Sequence, residues 1–532
     1  MIFIVQCVGW LALSLLVASV AIRLLYPLPS IEPRQPSLHI TGTDDTPLGR
    51  GIARLPPHQA GHSGFHPLND GREAFAARIL LARAAVRSLD LQYYIWHSDR
   101  SGTLLLEAVH QAADRGVRVR ILLDDNGTAG MDDMLAALDR HPNIEIRLFN
   151  PFVLRRPKML GYLADFSRLN RRMHNKSFTA DNQVTIIGGR NIGDEYFAAR
   201  DEGLFLDLDV FAVGPIVEDV SRDFDRYWAS DSTYPVARIL PTVPPDELQR
   251  LSRQASLVER DPAARAYVDA VRSLPFIDQT LSGTLPLEWA PAHMVSDDPA
   301  KGVGKARREA LLAPALREAI GEPQREVRLV SGYFVPGRAG VDTLAELSAR
   351  GVDVAIFTNA FQATDVWIVH AGYAERRKSL LKAGIRLFEM YGPGRADEQR
   401  PRRSLISTGS GSSGADGPVL RSSASTLHAK TFSVDGRRVF IGSFNFDPRS
   451  MHLNTELGFV IESPKLAADV SNMFRTHISA NAYEVVLTED GGLTWREQTS
   501  AGVRIHTREP GTEWWQRQAI TILSRMPIEW LL

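Results

Sequence analysis

The feature that most constrains this chain is an internal repeat. His174, Lys176, Phe178, Asp181, Ile187, Gly188 and Asn191 are matched by His428, Lys430, Phe432, Asp435, Ile441, Gly442 and Asn445, all at one offset of 254 residues. That offset excludes a solenoid, whose units run to about 20–50 residues. It calls for two copies of one domain-sized unit. The surrounding segments agree. Residues 89–95, 117–123 and 144–149 read as strands, with apolar residues at helical spacing over 102–115 and 131–138 between them. The order returns as strands at 327–330, 351–357 and 385–388 with a helix over 340–350, and Arg115-Gly116-Val117 recurs as Arg350-Gly351-Val352. Strand and helix alternate, which predicts an α/β unit built on a mostly parallel sheet, present twice about a pseudo-two-fold axis.

Composition narrows the function classes. The 532 residues hold 61 Lys+Arg against 62 Asp+Glu and a single cysteine, Cys7. One cysteine excludes an intrachain disulfide framework and a thiolate-rich metal site. A net charge of −1 provides no global field for nucleic acid, and no nucleic-acid partner is expected. The stretch between Arg395 and Thr426 is rich in Ser and Gly, includes Arg400, Arg402 and Arg403, and is expected to be a mobile loop.

No charged side chain occurs from Met1 to Ile22, a run about as long as the ~20 residues that span a bilayer. Arg23 stops it, and Pro27, Pro29 and Pro33 break any continuation. Two readings stand, an uncleaved anchor and a cleaved signal peptide with a passable site at Ser19-Val20-Ala21. The missing basic n-region favours the anchor. Arg23 and Arg34 on its C-terminal side place the body in the cytoplasm by the positive-inside rule, against a bacterial inner membrane. The chain then divides into an anchor at 1–25, a tether at 26–70, a first half at 71–235, a connector at 236–320, a second half at 321–480 and a tail at 481–532. In that tail Trp514, Trp515, Ile520, Ile522, Leu523, Met526, Ile528, Trp530, Leu531 and Leu532 alternate with Arg517 and Arg525. Such a mixture suits either a membrane-interfacial segment or a helix packed on the body.

Each copy of the repeat carries the same chemistry. Residues 174–179 read as a strand, on which side chains two apart share a face, so His174 and Lys176 point together, as do His428 and Lys430. Asn191 and Asn445 add amide donors behind the glycines. Two imidazoles, two ammonium groups and two amides converging on one point suit a tetrahedral anion such as phosphate. Arg168, Arg171, Arg172 and Arg190 lie around the first copy and read either as added positive potential or as a solvated face. A metal site would need further His and carboxylate ligands, and a neighbouring ammonium would repel the ion, so neither metal nor cofactor is expected. No Walker loop is present, since Gly304-Lys305 lacks the earlier glycine and the following Ser or Thr. Aligning the halves again downstream sets Glu456 opposite Asp207, which nominates two carboxylates to orient the histidines. Asp181 and Asp435 read as structural, holding the turn after the motif.

The paired pattern resembles the H-x-K-x4-D-x6-G-[GS]-x-N signature of the phospholipase D superfamily. Within it the chain is most similar to bacterial cardiolipin synthases, nearest the C-type branch, on Leu91 to Trp96, Leu123-Asp124-Asp125-Asn126, Asp165 to Lys176, Ser296 to Gly302 and the closing Pro527 to Leu532. The resemblance implies two α/β/α sandwich halves packed face to face and chemistry without a metal. It places His174, Lys176, Asp181, His428, Lys430 and Asp435 in the catalytic signature. One histidine attacks phosphorus to give a phosphohistidine and the other protonates the departing alcohol; His174 is the expected nucleophile and His428 the acid, although the symmetry allows the reverse. The implied reaction is phosphatidyl transfer between phospholipids, phosphatidylglycerol with phosphatidylglycerol or phosphatidylethanolamine. A hydrolase releasing phosphatidic acid would use the same residues.

Overall fold

The structure is a computed structural model that describes every residue except 1, 35, 57–58, 198–206, 245, 365, 392–426, 479–480, 501 and 526–532. The Ser/Gly-rich loop and the last seven residues of the tail therefore lie outside the described residues.

Two mixed sheets form the body. The first has nine strands: β1 (Ser63–Leu68), β2 (Ser88–Ile95), β3 (Arg118–Gly127), β4 (Ile144–Phe149), β5 (Ser177–Ala180), β6 (Val184–Gly188), β7 (Asp209–Val213), β8 (Thr233–Pro235) and β9 (Glu288–Ala290), in the order β8-β4-β3-β2-β5-β6-β7-β1-β9. The second has ten: β10 (Ala292–Ser296), β11 (Glu326–Ser331), β12 (Asp353–Asn359), β13 (Arg386–Met390), β14 (Lys430–Val434), β15 (Arg438–Gly442), β16 (Leu457–Ile461), β17 (Ala482–Leu487), β18 (Leu493–Thr499) and β19 (Gly502–His506), in the order β10-β16-β15-β14-β11-β12-β13-β17-β18-β19. A six-strand kernel is common to both, β4-β3-β2-β5-β6-β7 in one and β13-β12-β11-β14-β15-β16 in the other.

Only half of each kernel is parallel, which corrects the expectation of a mostly parallel sheet. β2, β3 and β4 run parallel, while β5, β6 and β7 run antiparallel, and the second sheet repeats this pattern. The cause is local. β5 and β6 are joined by a turn in which Asp181 and Asn182 both have φ +51°, and β14 and β15 by one with Asp435 at +56° and Gly436 at +63°. Two successive left-handed residues make the tight turn that matches strand twist, so each motif strand reverses at once. The parallel strands are apolar on both faces, as in Val119 and Ile121-Leu122-Leu123, because both faces are covered, and the interposed Arg120 is paired with Asp90 and Asp225.

Helices Gly71–Ala84, Arg100–Asp114 and Asp132–Leu138 pack on the outer face of the first sheet. Helices Leu312–Ile320, Gly337–Ala349 and Trp367–Lys382 pack on that of the second. The inner faces meet in a shared core that holds Phe65, Ile187, Val210, Val217, Val330, Ile441, Phe459 and Val470. Phe65 and Phe459 meet there edge to face at 6.1 Å, an arrangement worth about 0.5–1.5 kcal/mol beyond burial alone.

The segments flanking the halves are more ordered than the sequence implies. The tether contains helix Pro47–Ile52 and β1, which sits between β7 and β9. The connector supplies an edge strand to each sheet, β9 and β10, separated only by Pro291. In the tail, β17 to β19 extend the second sheet, and Trp515, Ile520 and Leu523 of helix Trp514–Arg525 pack against Phe361 and Trp367. Of the two readings of the tail, packing on the body holds for this helix.

Ile2–Leu25 is a 24-residue helix with Trp10, Leu11, Leu16, Val17 and Leu24 exposed. Among the described residues no helix is long and apolar enough to cross a membrane, and side chains 2, 4, 5 and 8 of this one lie outside that description.

Candidate active site

The two histidine motifs sit at strand entrances rather than inside strands. β5 begins at Ser177 and β14 at Lys430, so His174 and His428 precede them. The backbone explains this. His174 N–H donates to Thr455 O at 2.9 Å and Thr455 N–H donates to Arg172 O at 2.9 Å, so the chain around His174 pairs with the other half instead of its own sheet.

Each histidine is held by a carboxylate from the opposite half. His174 Nδ1 is 2.8 Å from Glu456 Oε2, and His428 Nδ1 is 2.6 Å from Asp207 Oδ2. Glu456 also accepts Ser443 Oγ–H at 2.5 Å and Ser450 Oγ–H at 2.8 Å. An acceptor used in this way assigns the proton of His174 to Nδ1 and leaves the Nε2 lone pair for chemistry. Rings enclose both imidazoles, Tyr94 at 5.1 Å from His174 and Tyr196 at 5.3 Å from His428.

The two half-sites differ at one matched position. Ser443 bonds Glu456, whereas a Cβ on its counterpart Gly189 would lie 2.0 Å from Asp207 Oδ1. Glycine is required there because the shorter Asp207 side chain brings its carboxylate against the backbone. The electrostatics diverge accordingly. Burial pushes Glu456 up to about 7, against the pull of Lys176 and the two serines. Burial also favours the acid at Asp207, but His428, Lys430 and Arg190 bring it well below the usual carboxylate range.

Burial lowers both imidazoles. For His174 the ammonium groups of Lys176 and Lys430 add to it, and the ring is held well below its ordinary value. For His428 Lys430 adds to burial while Asp207 opposes it. Burial takes Lys176 down to about 7, although Glu456 favours its charged form. Lys176 Nζ donates to His174 O at 2.6 Å, and Lys430 Nζ donates to His428 O. Asn191 accepts Ile95 N–H through Oδ1 at 3.2 Å, and among the described residues its buried Nδ2 and the buried Oδ1 of Asn445 find no partner.

Asp181 and Asp435 are employed elsewhere. Asp181 accepts the N–H groups of Val86, Arg87 and Ser88, and Asp435 those of Gln324, Arg325 and Glu326. Each staples the motif hairpin to the start of the first parallel strand. Six residues of extended chain lie between His174 and Asp181, about 20 Å at the rise of a strand, so neither carboxylate is spent on a histidine.

Arg168 and Arg172 are spent on their own loops, whereas Arg190 lends positive potential to Asp207. Arg172 is buried, 3.4 Å from Asp124, and donates to Asn150 O; Arg168 pairs with Asp165 at 2.6 Å; Arg190 donates to Leu68 O, Asn69 O and Asp207 O. They fix the loops that carry the site. His97, Asp99 and Glu195 are spaced for a cation, but Asp99 already accepts Gly102 N–H and Asp194 N–H at a helix start.

Sequence reasoning missed the support behind Glu456. Asp297 accepts Glu456 N–H at 2.9 Å and is held by Lys301 at 3.0 Å, which also donates to Ser450 O. The Ser296 to Gly302 segment marked the resemblance without revealing this role. Ser450 lies five residues beyond Asn445, the last position of the motif repeat, and carries no pattern of its own.

A family model described as cardiolipin synthase, PLD-like domain, matches residues 79–228 and 316–478. The chain belongs to that family. It is 48% identical to cardiolipin synthase C of Escherichia coli strain K12 over 91% of this chain and 99% of that one. It is 24% identical to cardiolipin synthase B of Shigella flexneri over 82% of this chain and 86% of that one. Among solved structures, phosphatidylserine synthase of Haemophilus influenzae Rd KW20 superposes with a TM-score of 0.55 at 14% identity, covering 91% of this chain and 98% of that one. That likeness bears on the fold. Both matched segments of the family model enclose one half-site each, so membership covers the whole composite centre.

Proposed function

We propose that the chain is a cardiolipin synthase that moves a phosphatidyl group between phospholipids through a phosphohistidine. The observation that carries this reading is the crossed pairing of two histidines with two carboxylates, one from each half, beside two lysines. His174, the ring kept more firmly neutral, attacks phosphorus of phosphatidylglycerol through Nε2. The bond from phosphorus to glycerol oxygen breaks, and His428, acting as the imidazolium that the ionised Asp207 favours against burial and Lys430, gives that oxygen its proton. His428 then takes the proton of a second lipid's hydroxyl, which attacks phosphorus and releases His174. With phosphatidylethanolamine as donor, ethanolamine leaves and phosphatidylglycerol accepts. Lys176, Lys430, Asn191 and Asn445 hold the non-bridging oxygens as charge builds. No cofactor enters.

Burial of His174, the expected phosphohistidine, supports transfer over hydrolysis, because water has to be kept from that intermediate until the acceptor arrives. The uncharged stretch to Ile22 supports anchoring of the helix Ile2–Leu25 in a bacterial inner membrane, and Arg23 and Arg34 support a cytoplasmic body. The test is product analysis with phosphatidylglycerol labelled in its phosphate. The expected product is cardiolipin. Phosphatidic acid alone would make the chain a hydrolase.

A further inference from the structure

The segment that leads from β4 to His174 carries an apolar surface that the core does not need. Met159, Leu160, Leu163 and Phe166 lie along Lys158–Leu160 and Gly161–Leu169, the latter broken at Asp165 (φ −145°, ψ 52°), and each is 40 to 50% exposed. The opposite side of the same element is built into the protein, with Gly161, Ala164 and Leu169 buried.

The element is rigidly seated. Asp125, fully buried, is 2.5 Å from Arg155 and 3.1 Å from Lys158, and Arg155 also pairs with Asp132. At the other end Asn150 Nδ2 donates to Arg168 O and Arg171 O. The exposed stripe is therefore held in place, and five residues after Leu169 the chain reaches His174.

The N-terminal helix packs on this element. Arg23 Nε donates to Ala164 O at 2.6 Å. The N-terminal helix, on which Trp10, Leu11, Leu16 and Val17 are exposed, thus meets the element at Ala164, and the exposed Arg156 precedes the stripe in sequence. Two neighbouring apolar elements edged by basic side chains have the composition of a membrane-interfacial surface. Exposed apolar side chains scattered singly need no explanation, but a contiguous group does.

We propose that Lys158–Leu169 is a membrane-docking element, whose stripe of Met159, Leu160, Leu163 and Phe166 enters the headgroup–acyl boundary of a phospholipid bilayer beside the N-terminal helix. Docked there, it sets the entrance to His174 against the layer in which a lipid phosphate lies, so a substrate reaches the nucleophile without leaving the bilayer whole. The inference rests on the lipid-substrate reading above.

The test uses the full chain with Cys7→Ser and one new cysteine carrying an environment-sensitive fluorophore. The labelled sites are Met159→Cys, Leu163→Cys and, as reference, Leu257→Cys on helix Glu247–Arg260, where Leu257 is 68% exposed. The protein is reconstituted with vesicles of phosphatidylglycerol and phosphatidylethanolamine. The expected result is blue-shifted emission at 159 and 163, quenched by a spin label on the lipid, with no change at 257. Unchanged emission at 159 and 163 overturns the proposal, as does an equal response at all three sites. A shift that grows with protein concentration in the absence of vesicles assigns the surface to a second copy and also overturns it. The readout needs no turnover. A chain that docks but makes no cardiolipin refutes the enzymatic reading alone, and one that makes cardiolipin with an unmoved label refutes the docking alone.

Discussion

Glu456 reaches from the second half to His174 in the first, its Oε2 2.8 Å from the imidazole Nδ1. The same exchange runs the other way between Asp207 and His428. Neither half owns a complete histidine–carboxylate pair. Replacing Glu456 by Gln keeps the shape but not the charge that steadies the imidazolium formed during transfer. A loss of about ten-thousandfold in kcat is expected, with near-normal folding, by analogy with removal of the carboxylate from a serine protease triad. Steady-state kinetics with circular dichroism checks both parts.

The pH profile follows from two buried groups. Glu456 is pushed up to about 7, so it ionises, and can orient His174, only as pH rises through that value. Lys176 is brought down to about 7, so its charge is lost as pH rises through the same range. The first limb ascends and the second descends, and kcat/KM is expected to trace a narrow bell centred near neutrality. Lys176→Arg keeps its charge at every accessible pH and should flatten the alkaline limb. A broad plateau in the parent enzyme would contradict this assignment.

Asp181→Ala should damage stability and spare chemistry. It strips the acceptor from three backbone N–H groups at the start of β2, at a cost of about 1–3 kcal/mol. Thermal unfolding is expected to fall by several degrees, with kcat measured well below the transition within about twofold of the parent. A catalytic role for the aspartate would show the opposite split.

Gly189→Ala and Ser443→Ala occupy matched positions with unequal outcomes. The new methyl at 189 would meet Asp207 Oδ1 at 2.0 Å and displace the carboxylate that holds His428. Activity is expected to fall at least about a hundredfold. Removing the Ser443 hydroxyl takes one of several bonds from Glu456, an effect of about 1.5–3 kcal/mol for a charged acceptor, and should be milder. Parallel kcat measurements on the two variants check the ranking.

The repeat made much of this legible in the sequence. Residues that recur at one offset fall at equivalent places in two kernels of the same strand order, and Glu456 and Asp207, set opposite each other by aligning the halves, each lie within 2.8 Å of a histidine Nδ1. The direction of strands was not legible, because it depends on left-handed turns at Asp181–Asn182 and Asp435–Gly436 rather than on hydrophobic periodicity. The exchange of carboxylates between halves was not legible either, since a repeat ranks positions without saying which copy faces which. The arginines misled for a related reason. Charge in a sequence counts as potential, but Arg168 and Arg172 are consumed by Asp165 and Asp124, and only Arg190 acts on a carboxylate of the site, Asp207. Ser450 and the Asp297–Lys301 pair carry no repeat signal and emerge only from packing.

The central claim is that one composite centre, needing both halves, makes cardiolipin. Its most direct measurement is the lipid content of a cardiolipin-free bacterium expressing the parent chain, His174→Ala or His428→Ala. Cardiolipin is expected with the parent and with neither variant. Cardiolipin restored by either variant to the parent's level would contradict the account.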